Sequence, residues 1–383
     1  YFIITNMENK IKKINNHFIQ QAFAKNYSNF GILKYTYYEP NSKEVNEKTF
    51  KVSEKETDEH PIVKKYFYSQ EIEDGMNEIE NEGIKVIKKI SYDANNNIDD
   101  KIVLKRNELY SLKFYFLLSP IRTNGYRNNI SNLSGDYLFN EAVKKDKRSE
   151  KVIQENQIQI IIDEYKKYKK KEPLLSEQSF NDHLKSNDLF FKDLTFKEIT
   201  LIRIKNIINS RLLIFKFKKN KLFLQETIEF NEWTSCDRIM YEFMAISPNI
   251  GIMFYFDPLI TRGLLKLEKS VFFKNDISEK RNNVIYVNEY KMKQEFIELI
   301  KFDNSQSQIY ELNILLGPII ISKFSHDDDQ YIYDILEESE EVQDICNAMS
   351  LIHNKDRFLS YQNKDDIKDA EIQIKKLNIY CIK

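Results

Sequence analysis

The chain holds only 8 glycines in 383 residues, at positions 31, 75, 83, 125, 135, 251, 263 and 317. None of them builds a G-x-G-x-x-G turn, whose glycines let a backbone approach a pyrophosphate closely. None builds a G-x-x-x-x-G-K phosphate loop or a G-x-S-x-G nucleophile elbow. Nucleotide-fold dehydrogenases, P-loop ATPases and standard α/β-hydrolases are therefore excluded. Histidine is also scarce. His17, His60, His183, His326 and His353 stand too far apart for an H-E-x-x-H zinc helix. Cys236, Cys346 and Cys381 form no C-x-x-C pair, which excludes zinc-ribbon and thioredoxin-like readings. So few cysteines in so long a chain read as reduced intracellular thiols. No run approaches the ~18 apolar residues of a membrane helix. The most apolar stretch, Leu312 to Ile321, contains Gly317 and Pro318 and reads as a buried strand. The expectation is a cytoplasmic protein without a membrane partner.

What is present is a globular composition, 42% hydrophobic and 13% aromatic, enough for a sizeable core. The net charge of −1 hides a segregation. Residues 1–100 carry 14 basic and 17 acidic side chains, residues 101–221 carry 26 and 14, and residues 222–383 carry 18 and 28. The basic part includes Lys144, Lys145, Lys147 and Arg148, the run Lys166, Lys167, Lys169, Lys170 and Lys171, and Lys216, Lys218, Lys219 and Lys221. The acidic part includes Asp327 to Asp329 and the glutamates 337, 338, 340 and 341. One reading is a basic face for a polyanion, with Tyr165, Tyr168, Phe190, Phe191, Phe215 and Phe217 to stack on bases. The other is a solvated helix surface onto which the acidic part folds back and neutralises it.

Periodicity predicts a helix over 9–26, a strand over Ile32 to Tyr38 pairing Thr49 to Val52 across a turn, and a helix over Glu71 to Ile90. An apolar helix is predicted from Leu104 to Leu118, ending before Pro120. Charged helix follows over 141–171, then a helix over Phe196 to Ile208. Strands are predicted at Leu212–Phe217, Leu222–Ile228, Ile239–Ile246, Ile252–Phe256, Val284–Val287 and Ile314–Ser322, with helices at Glu289–Ile300 and Tyr331–Met349. The fold class is α+β, a helix-rich N-terminal and middle part packed with a mostly antiparallel sheet formed after residue 210. The expected division is an α+β domain over 1–302, with a basic helical insertion around 141–210, and an acidic strand-helix extension over 303–383.

Several short motifs occur in a telling order. Asn16-His17-Phe18-Ile19-Gln20 precedes Tyr27 to Gly31, and Arg122-Thr123-Asn124-Gly125-Tyr126-Arg127 follows an apolar helix. Thr234-Ser235-Cys236-Asp237-Arg238, Ser247-Pro248 and Val287-Asn288-Glu289 come after. Together, across residues 15–302, they resemble a large bacterial family, domain of unknown function 4238. Gln20 and Asn124 stand where that family carries proline. No reaction comes with the resemblance. The family's spread through bacterial accessory genomes implies a role in conflict or phage defence.

His17, Arg122, Arg127 and Asp237 form the candidate catalytic set. His17 would act as base, the arginines would clamp a phosphate, and Asp237 would orient the base or hold a divalent metal. Each also has a structural reading, an arginine tying down helix carbonyls or an aspartate capping a turn. Asp276 with Glu289 and Lys291, and Asp146 with Glu164 and Lys166, have the layout of a metal-dependent nuclease. His326 beside Asp327 to Asp329 reads as an acidic turn before a helix. Cys236 reads as a buried thiol and Trp233 as packing. The expected function is binding or processing of nucleic acid or nucleotide phosphates, with Lys166, Lys167, Lys169, Lys170 and Lys171 as the nucleic-acid contacts and a nuclease or other phosphate-directed hydrolase as the candidate enzyme. The alternative is a non-catalytic interaction protein that docks a protein partner or a second copy, as a homo-oligomer, through its acidic C-terminal third.

Overall fold

The structure, a computed structural model, describes residues 15–17, 21–37, 44–53, 63–65, 67–96, 100–123, 126–127, 130, 148–172, 174, 195–225, 240–256, 276–281, 284–288, 330–353 and 358–376. The chain begins with β1 (Asn15–His17), α1 (Gln21–Ala24), β2 (Ile32–Tyr37), β3 (Lys48–Lys51) and β4 (Val63–Lys65). Then come α2 (Gln70–Asn96), β5 (Lys101–Lys105), α3 (Arg106–Ile121), α4 (Glu150–Lys170) and α5 (Phe196–Asn209). Strands dominate afterwards: β6 (Arg211–Phe217), β7 (Leu224–Gln225), β8 (Met240–Ser247), β9 (Ile250–Phe256), β10 (Asp276–Arg281), β11 (Val284–Asn288) and β12 (Gln330–Glu338). The last elements are α6 (Glu340–His353), β13 (Phe358–Ser360) and α7 (Lys364–Lys376).

The class is α+β, as the sequence implies. The main sheet runs β10-β11-β12-β6-β9-β8, with β5 also on β12. Its pairings are antiparallel except β11–β12 and β12–β6, which are parallel. A second sheet runs β3-β2-β13-β7, and β1 pairs β4.

Alternation along β6 and β9 assigns the two faces. Leu212, Ile214, Ile252 and Phe254 point into the main core with α2 to α5, where Phe116 of α3 meets Phe254 edge-on at 4.7 Å. Phe215, Phe217, Phe243 and Met253 face the other way, against Val342, Ile345 and Cys346 of α6. α7 packs on α6 through Ala348, Leu351, Ile367 and Ala370. The sheet thus has helices on both faces, and the apolar residues of β6 and β9 divide between two layers.

Several expectations are corrected. Asn15–His17 is a strand, pairing Val63–Lys65, and among the described residues of the 9–26 segment the helix is Gln21–Ala24; asparagine is a weak helix former. The apolar stretch after residue 100 opens as β5, with Ile102 and Leu104 inward, before α3 begins. Pro120 lies inside α3, in its last turn, and the Arg122 amide still donates to the Leu118 carbonyl at 3.1 Å. Tyr331 opens no helix. Residues 330–338 form a strand at the centre of the main sheet, with Tyr333 and Ile335 buried. The helix begins only after Ser339, whose hydroxyl accepts from the Val342 amide. The acidic turn assigned to 326–329, the strand at 314–322 and the helix at 289–300 lie outside the described residues.

Two polar devices lock the helical layer. Lys113 of α3 is fully buried and donates to the Ile208 and Ser210 carbonyls at 2.7 and 2.6 Å. It thereby satisfies the end of α5, where carbonyls lack helical partners. Gly83 of α2 lies where any Cβ would collide with Tyr115 of α3, so the residue sets the distance between those helices.

Candidate functional site

Of the predicted catalytic set, the structure brings Arg122 and Arg127 together. Arg122 ends α3, is 2% exposed, and pairs with the buried Glu80 of α2. Its carbonyl accepts from the Tyr68 hydroxyl. Gln154 of α4 donates to the Ile121 and Thr123 carbonyls at 2.6 and 2.9 Å, and its oxygen accepts from Arg127 Nε. Arg127 also donates to the Phe67 carbonyl at 3.1 Å and lies 3.3 Å from the Phe67 ring centre. Burial lowers the proton affinity of both guanidinium groups, and for Arg122 the Glu73 carboxylate and Tyr68 oppose that. The arrangement is a dense polar knot joining α2, α3 and α4. What its arginines hold is a carboxylate, carbonyls and an amide.

His17 lies on β1, and Asp237 lies outside the described residues, as do Asp146, Glu289, Lys291, Cys236, Trp233 and His326 to Asp329. Asp276 sits on β10. Glu164 is buried and pairs with Lys167 at 3.6 Å. Among the described residues no group of three or more His, Cys, Asp or Glu is placed to hold a metal ion.

The lysine run 166–171 closes α4, where cations complement the helix dipole. Its members are not equivalent. Lys169 reaches Glu82 of α2 at 2.8 Å, and Tyr165 and Ser111 donate to the same carboxylate at 2.6 and 2.9 Å. Burial works to raise that carboxyl, but these three donors together hold it below the usual range. Lys171 takes the left-handed conformation, φ 59°, and its amide caps the helix on the Lys167 and Tyr168 carbonyls. Lys166 and Lys170, one turn apart, are exposed and meet no carboxylate among the described residues. Beside them Tyr168 stacks on Tyr110 of α3 at 4.2 Å and 8°, with the Arg106 guanidinium 5.7 Å from the Tyr110 ring centre. Two ammonium groups with no carboxylate partner among the described residues thus lie near a guanidinium and a core-packed aromatic pair at one end of the helical layer.

In the other lysine cluster Lys219 and Lys221 are spent internally, while Lys216 and Lys218 meet no carboxylate among the described residues. The Lys221 side chain is 5% exposed and lies 2.7 Å from Asp344, 2.8 Å from Glu340 and 3.8 Å from Asp369. Lys219 reaches Glu340 at 2.6 Å. Hydrogen bonds from both lysines push the Glu340 carboxyl down to about 2. Gln343 and Asn347 of α6 donate to the Lys219 and Lys221 carbonyls at 2.8 and 2.7 Å, fixing the 218–223 segment on the helix. Neither Asp344 nor Asp369 stands out in the sequence as a lysine partner. The available signal was the spacing Glu340, Asp344 on one helical face, which offers two carboxylates to a single cation.

No family model matches the chain, and neither the curated proteins nor the solved structures contain a match. Among the described residues no helix is long and apolar enough to cross a membrane.

Proposed function

We propose that the protein binds nucleic acid or nucleotide phosphates through the exposed end of α4. The observation that carries this reading is the difference within the lysine run: among the described residues Lys166 and Lys170 stay uncompensated while Lys167 and Lys169 are paired. Unpaired cations on a rigid helix attract phosphates without first breaking an ion pair. The half-buried Arg106, whose guanidinium lies beside the core-packed Tyr110–Tyr168 stack, adds a planar cation that favours single-stranded bases. Docking of a partner or second copy through the acidic C-terminal third would fall to Glu337, Glu338 and Glu341, because Glu340, Asp344 and Asp369 are occupied by Lys219 and Lys221.

The test is an anisotropy titration of a labelled single-stranded oligonucleotide with the parent and with the Lys166→Gln/Lys170→Gln variant. Two lost phosphate contacts should weaken binding roughly tenfold at low salt while the melting temperature holds. Equal binding by both proteins removes the reading.

A further inference from the structure

A second feature lies farther along α2. A cleft of about 520 Å³ opens between the α1–β2 turn, the end of α2, the β8–β9 turn and the loop before α7. That volume is within the range of small-molecule sites. No charged side chain lines it; the lining is mostly asparagine, serine and glutamine. Asn249 donates to Asn95 at 2.8 Å, and Gln362 donates to the Tyr27 carbonyl at 2.9 Å, so its walls are tied together. Asn29 and Asn220, both exposed at the cleft, have no side-chain hydrogen bond among the described residues.

Two further lining hydroxyls, Tyr27 Oη and Ser91 Oγ, are buried without a hydrogen-bond partner among the described residues, an uncommon state for buried polar atoms. Burial pushes the Tyr27 phenol well above its ordinary range, so it stays a donor. The chain directly after Asn29 is strained. Phe30 and Gly31 both have positive φ, 51° and 76°, and the Asn29 and Ile32 amides and carbonyls exchange 2.9 Å bonds across them. A two-residue hairpin of this kind favours asparagine or glycine where Phe30 stands. Phe30 is nevertheless fully exposed, so no packing among the described residues explains the ring. An amide-rich cleft whose lining residue Asn29 is followed directly in the chain by a fully exposed aromatic ring suits a flat, uncharged ligand that offers donors and acceptors on its rim.

We propose that this cleft receives a nucleobase, hydrogen-bonded by Asn29 and Asn220 and stacked on Phe30. The choice of a base over a sugar rests on the phosphate-binding reading of α4. Ser91 and Asn95 lie 9 and 13 residues beyond Glu82, the partner of Lys169, on the same helix. At about 1.5 Å per residue that is roughly 14 to 20 Å along α2, a distance one short strand can span.

The test is calorimetric or NMR titration of the full chain with adenosine, guanosine, cytidine and uridine, and separately with methyl glucoside. At least one nucleoside should bind in the millimolar range or tighter, with no dependence on salt. Asn29→Ala/Asn220→Ala should weaken it at least about tenfold, and Phe30→Ala at least about fivefold. All three positions are exposed, so the fold is retained and circular dichroism of each variant verifies it. Absence of nucleoside binding, binding indifferent to these substitutions, or equal binding of methyl glucoside overturns the proposal. Nucleosides carry no phosphate, so the two readings fail separately. If nucleosides bind but the oligonucleotide does not respond to Lys166→Gln/Lys170→Gln, the α4 reading falls; if the reverse holds, only the cleft does.

Discussion

The two lysine clusters of the basic part, at the end of α4 and at residues 219–221, look alike in sequence and differ in fate. Lys221 is buried beneath three carboxylates of α6 and α7, and Lys219 shares one of them. Lys166 and Lys170 face solvent without a partner among the described residues. The difference arises from what each segment touches. The 218–223 segment is held against α6 by Gln343 and Asn347, so its ammonium groups meet the acidic helix at short range. The end of α4 is anchored on α2 and α3; among the described residues Glu82 of α2 takes Lys169 and α4's own Glu164 takes Lys167, which leaves Lys166 and Lys170 unreached. A charge run in sequence therefore reports an available charge only after its neighbours are known.

The largest effect expected from this contrast is on stability. Lys221→Ala leaves Glu340, Asp344 and Asp369 facing one another, and should cost about 2–3 kcal/mol in chemical denaturation, reduced from the buried-pair range because two partners are partly exposed. Lys166→Gln and Lys170→Gln should each stay within about 0.5 kcal/mol of the parent. Equal losses at both clusters would erase the distinction.

A smaller effect concerns pH. Burial pushes the Asp366 carboxyl up to about 6 from its ordinary 3.8, with Asp369 and Asp344 adding to the rise and the Asn363 amide and Lys221 opposing it. The folded state therefore holds this proton more tightly than the unfolded chain. Stability falls as pH rises from about 4 to 6, and the loss is complete above. Asp366→Asn should recover about 1 kcal/mol at pH 8 and nothing near pH 4, seen by comparing denaturation midpoints. Glu340 acts in the opposite sense, its contribution vanishing as pH falls from 4.5 toward about 2.

The smallest effect tests pairing as the deciding variable. Glu82→Gln releases Lys169 from its ion pair while keeping an oxygen for Ser111 and Tyr165. Oligonucleotide affinity should rise about two- to fivefold at low salt as a third free cation joins the face. Unchanged or weaker binding would show that pairing does not govern which lysines act.

Much of the fold was legible where periodicity was unambiguous. The stripe Ile72, Met76, Ile79, Ile87 marked α2, and alternation marked β2, β6, β8 and β9. β5 was hidden because Ile102 and Leu104 run straight into the apolar residues of α3, and a five-residue alternation carries little weight beside them. β12 was hidden because Tyr331, Ile335 and the glutamates after them also fit a helical face; its central place in the sheet supplies the extended conformation. The basic run was visible as charge, but its sorting into paired and free members depends on Glu82, more than eighty positions away. Arg122 and Arg127 were visible as a pair of cations, and the Glu80 and Gln154 that engage them were not. The cleft was invisible because scattered Asn and Ser read as turn residues; only the sequence Asn29-Phe30-Gly31, with an aromatic in a turn that favours asparagine, hinted at it.

The central claim is that Lys166 and Lys170 exchange counterions for phosphates. Measuring the oligonucleotide association constant from low to physiological salt, for the parent and for Lys166→Gln/Lys170→Gln, tests it directly. The account predicts a steep linear fall of log K with log salt for the parent, and a slope shallower by about 1.4 for the variant, roughly 0.7 for each lost contact on a single strand. Parallel lines, or a parent whose binding ignores salt, would contradict it.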